Sequence, residues 1–198
     1  MTEQLSTLAT STGSLPRSLG AAVAVVIMGV SASGKTTLAH ALARQTGALF
    51  IEADDYHSTA NRAKMSAGIP LTDQDRWPWL YTLYASSHHQ ETTSISTPRI
   101  FITCSCLKRS YRDVLRSTLD YSVCFLYLRM SPECARVRIT RRTGHFMPAS
   151  MIDSQFAMLE EPTAEEQDMD VAALEVDSTM SAADVLAAAC TVLGLSVA

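Results

Sequence analysis

The sequence predicts a three-layer α/β/α domain, with a five-stranded parallel sheet between two layers of helices. Apolar, strand-like stretches alternate with segments of helical spacing along the chain, which is typical of a parallel sheet covered on both faces. The first such strand leads directly into the pattern G-x-x-x-x-G-K-[ST], and a helix follows. The length of 198 residues is enough for one domain with a sizeable core.

The first strand is expected at residues 22–28, an unbroken apolar run that fits a strand buried on both faces. The loop at residues 29–36 reads Gly-Val-Ser-Ala-Ser-Gly-Lys-Thr. A helix should follow until Gly47, because glycine favours a helix end. Strand, glycine-bearing loop and helix in this order are the context that a phosphate-binding loop requires.

The next part of the chain predicts a short strand at residues 48–52, followed by carboxylates. Ser58 is a candidate cap for a helix that extends to about Gly68. We expect residues 70–78 to form a turn-rich connection, because prolines stand at both ends of this stretch. The remaining segments expected here are a helix at residues 79–89 and a surface loop at residues 91–98.

The second half of the chain predicts three more strands, at residues 100–104, 123–128 and about 172–176. Helices are expected at residues 108–118, 132–144, 149–159 and 182–194, with an acidic loop before the last strand. Ser131 and Pro132 favour a helix start. Ser181 and Asp184 have the spacing of a capping box.

Composition limits the function. A net charge of −4 argues against nucleic-acid binding, and no apolar run approaches the length of about 18 residues that a transmembrane helix needs. Five cysteines without paired spacing suggest free thiols in a reducing, cytoplasmic environment. The Ser/Thr-rich residues 1–20 predict a disordered tail, or alternatively a transit peptide. Residues 21–198 then form the folded domain.

The loop after the first strand carries the clearest chemistry. Its N–H groups and the start of the next helix would bind phosphate oxygens. Lys35 would reach the β- and γ-phosphates of a nucleotide, and the Thr36 hydroxyl would bind Mg²⁺. The candidate nucleotide-binding residues in this segment are Gly29, Val30, Ser31, Ala32, Ser33, Gly34, Lys35, Thr36 and Thr37.

Two classes of phosphate-loop protein fit poorly. A GTPase would carry Asp-x-x-Gly and Asn-Lys-x-Asp, and neither occurs. A motor-type ATPase usually ends a hydrophobic strand in Asp-Glu, whereas the third strand here ends in Cys104 and Ser105. The acidic residues instead follow the second strand, beside the phosphates, where a carboxylate can orient or deprotonate an acceptor hydroxyl. A small-molecule kinase is the better match.

Several blocks resemble the thermoresistant gluconokinase family of P-loop kinases. Residues 57–80 are similar to its signature H-P-x-x-N-x-x-K-M-x-x-G-x-P-L-x-D-x-D-R-x-P-W-L, and residues 104–116 to C-S-A-L-K-x-x-Y-R-D-x-L-R. The segments 144–146 and 154–156 resemble its lid and post-lid segments. The resemblance implies ATP- and Mg²⁺-dependent phosphorylation of D-gluconate at the 6-hydroxyl, which feeds the pentose phosphate pathway. Homodimer formation is expected by analogy alone.

The resemblance also suggests roles for individual residues. Asp54 is the candidate base, with a turn or cap aspartate as the alternative. Lys35 and Arg142 complete the expected catalytic set. Glu52 and Thr36 form the expected metal site. Arg138 and Arg142, one helical turn apart, would close over the phosphates, or else form a solvated helix face. The candidate gluconate-binding residues are Asp54, His57, Arg76, Lys108, Arg112, His145 and Gln155.

Some residues allow another interpretation or differ from the family pattern, and two other functions are possible. Arg76 could instead form a structural ion pair with Asp73 or Asp75. Ala32 replaces a family glycine, which is tolerated if φ there is negative, and Glu52 replaces an aspartate. A kinase of another small polyhydroxy acid or of shikimate is the nearest functional alternative. A nucleotide-binding regulator without an acceptor substrate is the alternative from another class.

Overall fold

The computed structural model describes residues 23–88, 100–119, 122–141 and 149–195. In these residues five strands form one sheet, in the spatial order β2-β3-β1-β4-β5, and every neighbouring pair is parallel. The predicted α/β/α class is therefore confirmed. The strands are β1 Val23–Met28, β2 Leu49–Glu52, β3 Ile100–Thr103, β4 Ser122–Arg129 and β5 Val171–Glu175.

Helices cover both faces of this sheet. Alternate side chains of the central strand β1 point to opposite faces, with Val25 and Ile27 on one side and Ala24 and Val26 on the other, and all four are fully buried. None of the helices in the described ranges is long and apolar enough to cross a membrane. The helices are α1 Lys35–Thr46, α2 Thr59–Ser66, α3 Asp73–His88, α4 Arg109–Thr118, α5 Pro132–Arg141, α6 Ala149–Met158, α7 Ala164–Met169 and α8 Ala182–Leu193, with a 3₁₀ turn at Ala53–Tyr56.

Most predicted helix boundaries are confirmed through their caps. The Ser58 hydroxyl accepts a hydrogen bond from the Asn61 amide at the start of α2. Ser181 and Asp184 form the predicted capping box of α8. Gly47 ends α1 in the left-handed conformation that glycine adopts without strain. The predicted tail at residues 1–20, the loop at residues 91–98 and the end of α5 toward Gly144 lie outside the described residues.

Two sequence-based assignments are wrong. The expected connection at residues 70–78 contains the start of α3, because Thr72 and Asp75 cap the helix reciprocally. Pro78 lies inside that helix, although a proline there removes one backbone hydrogen bond and crowds the carbonyl four residues earlier. The expected acidic loop contains α7, which begins with a second capping box between Thr163 and Glu166.

A buried ion pair joins α4 to α7. The Arg112 and Glu166 side chains are both fully buried, and Arg112 Nε and Nη2 donate to the two carboxylate oxygens at 2.8 and 2.7 Å. Arg112 Nη1 donates to the Cys106 and Glu160 carbonyls. The expected role of Arg112 in gluconate binding is therefore wrong, because packing turns its guanidinium inward and all three nitrogens are engaged.

The phosphate loop contains an unfavourable backbone conformation. Ala32 has a φ of 65°, in the left-handed region, so the condition of a negative φ at this substituted glycine is not met. A side chain with a Cβ is strained in this region. The tight curvature of the loop imposes the conformation in spite of that cost.

Glu166→Gln should lower the free energy of unfolding by about 3–5 kcal/mol, because it leaves the buried Arg112 guanidinium without a counter-charge. Burial raises the pKa of Glu166, but the hydrogen bonds from Arg112 outweigh burial and lower it to about 2. The carboxylate therefore stabilises the fold fully above about pH 4.3, and this contribution is lost as the pH falls toward about 2. Urea denaturation across this pH range measures both effects.

The neighbouring variant Glu165→Gln is the matched control, because Glu165 pairs with Arg109 on the surface. It should change the stability little. Equal stabilities of the two variants would show that the buried pair does not stabilise the contact between α4 and α7.

Ala32→Gly should raise the free energy of unfolding by about 0.5–1 kcal/mol, because glycine relieves the left-handed strain. Ala39→Gly, in the interior of α1, should lower it by about 1 kcal/mol and serves as a control of opposite sign. A destabilised Ala32→Gly variant, measured by the same denaturation curves, would refute the assignment of strain to this position.

Candidate active site

A cavity of about 840 Å³ opens at the carboxyl-terminal edge of the sheet, where parallel sheets place their ligands. One wall is the phosphate loop with the start of α1, and another is formed by the turn after β2 and the start of α3. Helices α5 and α6 and the segment leading into α8 form the remaining walls. The lining residues include Ser31, Ala32, Ser33, Gly34, Lys35, Thr36, Thr37, Glu52, Asp54, His57, Arg76, Trp79, Arg138, Arg141 and Gln155.

The phosphate loop turns tightly at the end of β1. Gly29 has a φ of 139°, and a Cβ at this position would lie 2.8 Å from the Leu128 carbonyl oxygen, so only glycine fits. Lys35 Nζ donates to the Gly29 and Val30 carbonyls at 3.0 Å each, and neither Gly29 nor Val30 lines the cavity. The other seven predicted nucleotide-binding residues of the loop line the cavity.

The Lys35 side chain is a candidate cation for binding an anionic ligand. Burial lowers the pKa of Lys35, while the charges of Asp54 and Glu52 act in the opposite direction. Within the described part of the chain, Lys35 has no carboxylate at ion-pair distance. A phosphate group would supply the missing counter-charge at this point.

The two expected metal-binding residues are in direct contact. The Thr36 hydroxyl donates to Glu52 Oε2 at 2.7 Å, and the Thr103 hydroxyl donates to Oε1. The described residues contain no cluster of three or more His, Cys, Asp or Glu side chains that could hold a metal on its own. One hydroxyl and one carboxylate still fit Mg²⁺ in a kinase, because phosphate oxygens and water supply its other ligands.

Asp54 lies in the 3₁₀ turn that follows β2. Its side chain is 72% exposed and lines the same cavity as Lys35. A hydrogen bond from Trp79 Nε1 to the Ala53 carbonyl, at 2.6 Å, connects this turn to α3. The role of Asp54 as the base stays a prediction, and its place in the cavity lining is consistent with that role.

His57 is buried beside Asp54. Its ring stacks on Trp79 with 4.0 Å between centroids, and Nε2 lies 3.8 Å from Asp54 Oδ1. Burial, together with the charges of Arg76 and Arg62, lowers the pKa of His57 to about 4. The imidazole is therefore neutral at physiological pH.

Arg76 lines the cavity and forms no ion pair with the two aspartates that precede it. Asp75 accepts from Lys64 at 2.7 and 2.8 Å, and Asp73 accepts from Lys108 at 2.8 and 2.9 Å. The Arg76 guanidinium donates instead to the Leu71 carbonyl. The alternative of a structural ion pair at Arg76 is therefore wrong.

The structure does not bring every candidate to the cavity. Lys108 is held by Asp73, which also accepts from the Tyr111 hydroxyl at 2.5 Å, and neither Lys108 nor Arg112 is among the lining residues. Lys108 is the residue that precedes α4 and Arg112 lies in its first turns, and sequence spacing alone did not reveal which way these two side chains point.

Arg138 reaches the phosphate loop from α5. Its Nη1 donates to the Ser33 carbonyl at 3.3 Å, and Nη2 donates to the Asp177 carbonyl at 2.7 Å. Arg141, which was not among the sequence-based candidates, also lines the cavity and donates to the Ser178 carbonyl at 3.2 Å. The expected partners Arg142 and His145 lie outside the described residues.

Gln155 contacts the phosphate loop and not the wall that carries Asp54. Its Oε1 accepts from the Ser31 amide at 2.7 Å, and its Nε2 donates to the Ser31 hydroxyl at 2.8 Å. These two hydrogen bonds join α6 to the loop. Its expected role in gluconate binding stays a prediction.

Comparison with known proteins places this site in a family. Residues 25–162 match a family model described as an AAA domain. The chain is 45% identical over 144 residues to the thermosensitive gluconokinase of Escherichia coli, covering 73% of this chain and 75% of that protein. It is 46% identical over 147 residues to a probable gluconokinase of Schizosaccharomyces pombe, covering 73% and 76% of the two chains.

Solved structures agree with these relatives. A crystal structure of a gluconokinase from Sinorhizobium meliloti matches with a TM-score of 0.73 and 38% identity, covering 86% of this chain and 91% of that one. A shikimate kinase from Bacteroides thetaiotaomicron matches with a TM-score of 0.60 at 14% identity, which shows a common fold alone. With this fold, this cavity and relatives of such similarity, the chain belongs to the gluconokinase family.

Proposed function

We propose that this protein transfers the γ-phosphoryl group of ATP to the 6-hydroxyl of D-gluconate and so forms 6-phospho-D-gluconate for the pentose phosphate pathway. The observation that carries the proposal is that one cavity joins the phosphate loop to a second polar wall bearing Asp54, His57 and Arg76. A nucleotide and a hydroxy acid can therefore meet there. Membership of the gluconokinase family supports this choice of acceptor.

The nucleotide end of the cavity is built for a polyphosphate. The start of α1 lines the cavity with Gly34, Lys35 and Thr36, so the positive end of the helix dipole faces a bound anion. Lys35 supplies a cation without a carboxylate partner in the described residues, and Arg138 lies against the Ser33 carbonyl. Phosphoryl transfer requires chiefly positioning and neutralisation of charge, and these groups provide both.

The acceptor end is suited to a sugar acid. The Arg76 guanidinium can pair with a carboxylate, because Asp73 and Asp75 are engaged by other cations. His57 and Asp54 lie together at the same wall. The Asp54 carboxylate accepts the proton of the attacking hydroxyl, and the solvent-exposed position of its side chain lets that proton leave to water.

Thr36 and Glu52 would hold Mg²⁺ next to the phosphates. A divalent cation held by these two residues would supply neutralisation of phosphate charge. Glu52 is oriented for this by the hydroxyls of Thr36 and Thr103. The threonine hydroxyl and the carboxylate are both ligand types that Mg²⁺ prefers.

A cytoplasmic location is part of the proposal. All five cysteines are free and buried, as expected in a reducing compartment. Homodimer formation stays a prediction by analogy with the family.

A panel of sugar acids tests the proposed function. We expect the protein to convert ATP to ADP when D-gluconate is present, and the product to be the 6-phosphate of gluconate. Turnover with shikimate or other polyhydroxy acids should be low. Turnover confined to another acid would overturn the choice of acceptor. Tight ATP binding without ADP release for any acid would support a regulator and contradict a kinase.

Asp54→Asn should lower kcat about 10²- to 10⁴-fold while the KM for ATP changes little, because the amide cannot accept the hydroxyl proton. The neighbouring Asp55 is exposed and does not line the cavity, so Asp55→Asn is the matched control and should retain its turnover. Near-normal kcat in the Asp54 variant would exclude Asp54 as the base.

A further inference from the structure

Asn61 makes two contacts that bear on the chemistry of His57. It lies in α2, one turn after the histidine, and is 5% exposed. Its side-chain nitrogen Nδ2 donates to the Asp75 carbonyl at 2.8 Å and lies 3.4 Å from His57 Nδ1. Neither partner is a residue of the phosphate loop.

These contacts fix the orientation of the amide. A carbonyl oxygen can only accept a hydrogen bond, so the atom of Asn61 that faces the Asp75 carbonyl must be the nitrogen. That nitrogen carries two hydrogens, so a second one is available for His57 Nδ1, 3.4 Å away. Because Nδ1 then accepts, the proton of the neutral ring must reside on Nε2.

The surroundings of the ring agree with a neutral imidazole. Arg62 from α2 and Arg76 from α3 both disfavour a positive charge there, as does burial. Trp79 covers one ring face. Asp54 from the 3₁₀ turn is the carboxylate that faces the ring, with Oδ1 at 3.8 Å from Nε2. That separation is longer than a hydrogen bond, so the Nε2–H group can donate to a ligand oxygen beside Asp54.

We propose that Asn61 is a positioning residue that holds His57 as the neutral Nε2–H tautomer, so that His57 donates a hydrogen bond to an oxygen of the acceptor substrate. This inference deepens the proposed function and rests on it for the identity of that substrate. It separates two roles on one wall of the cavity. His57 binds the acceptor as a donor, and Asp54 alone takes the proton.

The tautomer can be measured directly in the wild-type protein. Nitrogen-15 NMR of histidine side chains distinguishes a protonated from an unprotonated ring nitrogen, and the spectrum of His57→Gln assigns the signals among the five histidines. We expect His57 to show a bare Nδ1 and a protonated Nε2, unchanged from about pH 6 to about pH 8. A protonated Nδ1, or titration near the usual histidine pKa of about 6.5, would overturn the proposal.

Asn61→Asp tests the functional consequence. A carboxylate at this position accepts from Nδ1–H and also raises the pKa of the ring, so at a pH above that raised pKa the tautomer should reverse and Nε2 should carry no proton. We expect the KM for D-gluconate to rise about tenfold or more through loss of the donor, while the KM for ATP stays the same. A reversed tautomer with an unchanged KM for D-gluconate would exclude the donor role.

The control variant is Lys64→Met, which removes the ion pair between α2 and Asp75 without touching His57. It should change only the stability and leave both the tautomer and the KM values unchanged. If Asn61→Asp does not fold, the wild-type spectrum still decides the tautomer. An enzyme with the expected tautomer and no activity on D-gluconate would refute the proposed function and leave the assignment of the ring proton intact.

Discussion

The site depends on the close approach of the phosphate loop to the backbone of strand β4. Because Gly29 has no Cβ, the loop passes the Leu128 carbonyl where a methyl group would lie 2.8 Å from it. This contact lets the chain turn at the end of β1 so that residues 31–37 line the cavity. Lys35 and Thr36 then begin α1 at the edge of the sheet where β2 and β3 also end.

Parallel pairing brings the rest of the chemistry to that edge. Strand β2 ends at Glu52, which meets Thr36, and the turn beyond it carries Asp54. In the strand order β2-β3-β1, strand β3 lies between β2 and β1. Thr103 on β3 donates a hydrogen bond to Glu52 at the end of β2. Residues distant in sequence thus converge on one cavity because parallel strands end on the same side.

The distribution of charge explains why this cavity suits anions. Asp73 and Asp75 engage Lys108 and Lys64, while Glu166 neutralises Arg112 in the core. These pairs stabilise the helices around the site and leave Arg76 without a carboxylate partner among the described residues. The fold therefore uses some of its cations for structure and presents others to a ligand.

The sequence predicted the sheet, the phosphate loop and the position of Asp54 correctly, because these follow from local patterns and from the geometry of parallel strands. It did not predict the start of α3, because Pro78 indicated a turn and the capping residue Thr72 was not recognised. It also could not separate Arg112, which faces the core, from Arg76, which faces the cavity. Side-chain direction in such cases is set by tertiary packing, which the basic stretches of sequence do not encode locally.

We propose that a nucleotide and a sugar acid meet in this cavity, with Asp54 at the reacting hydroxyl. A crystal structure with a non-hydrolysable ATP analogue, Mg²⁺ and D-gluconate tests it most directly. We expect the β- and γ-phosphates at Lys35, the gluconate carboxylate at Arg76 and the 6-hydroxyl within hydrogen-bond distance of Asp54. Gluconate bound outside the cavity, or with its 6-hydroxyl turned away from Asp54, would contradict it.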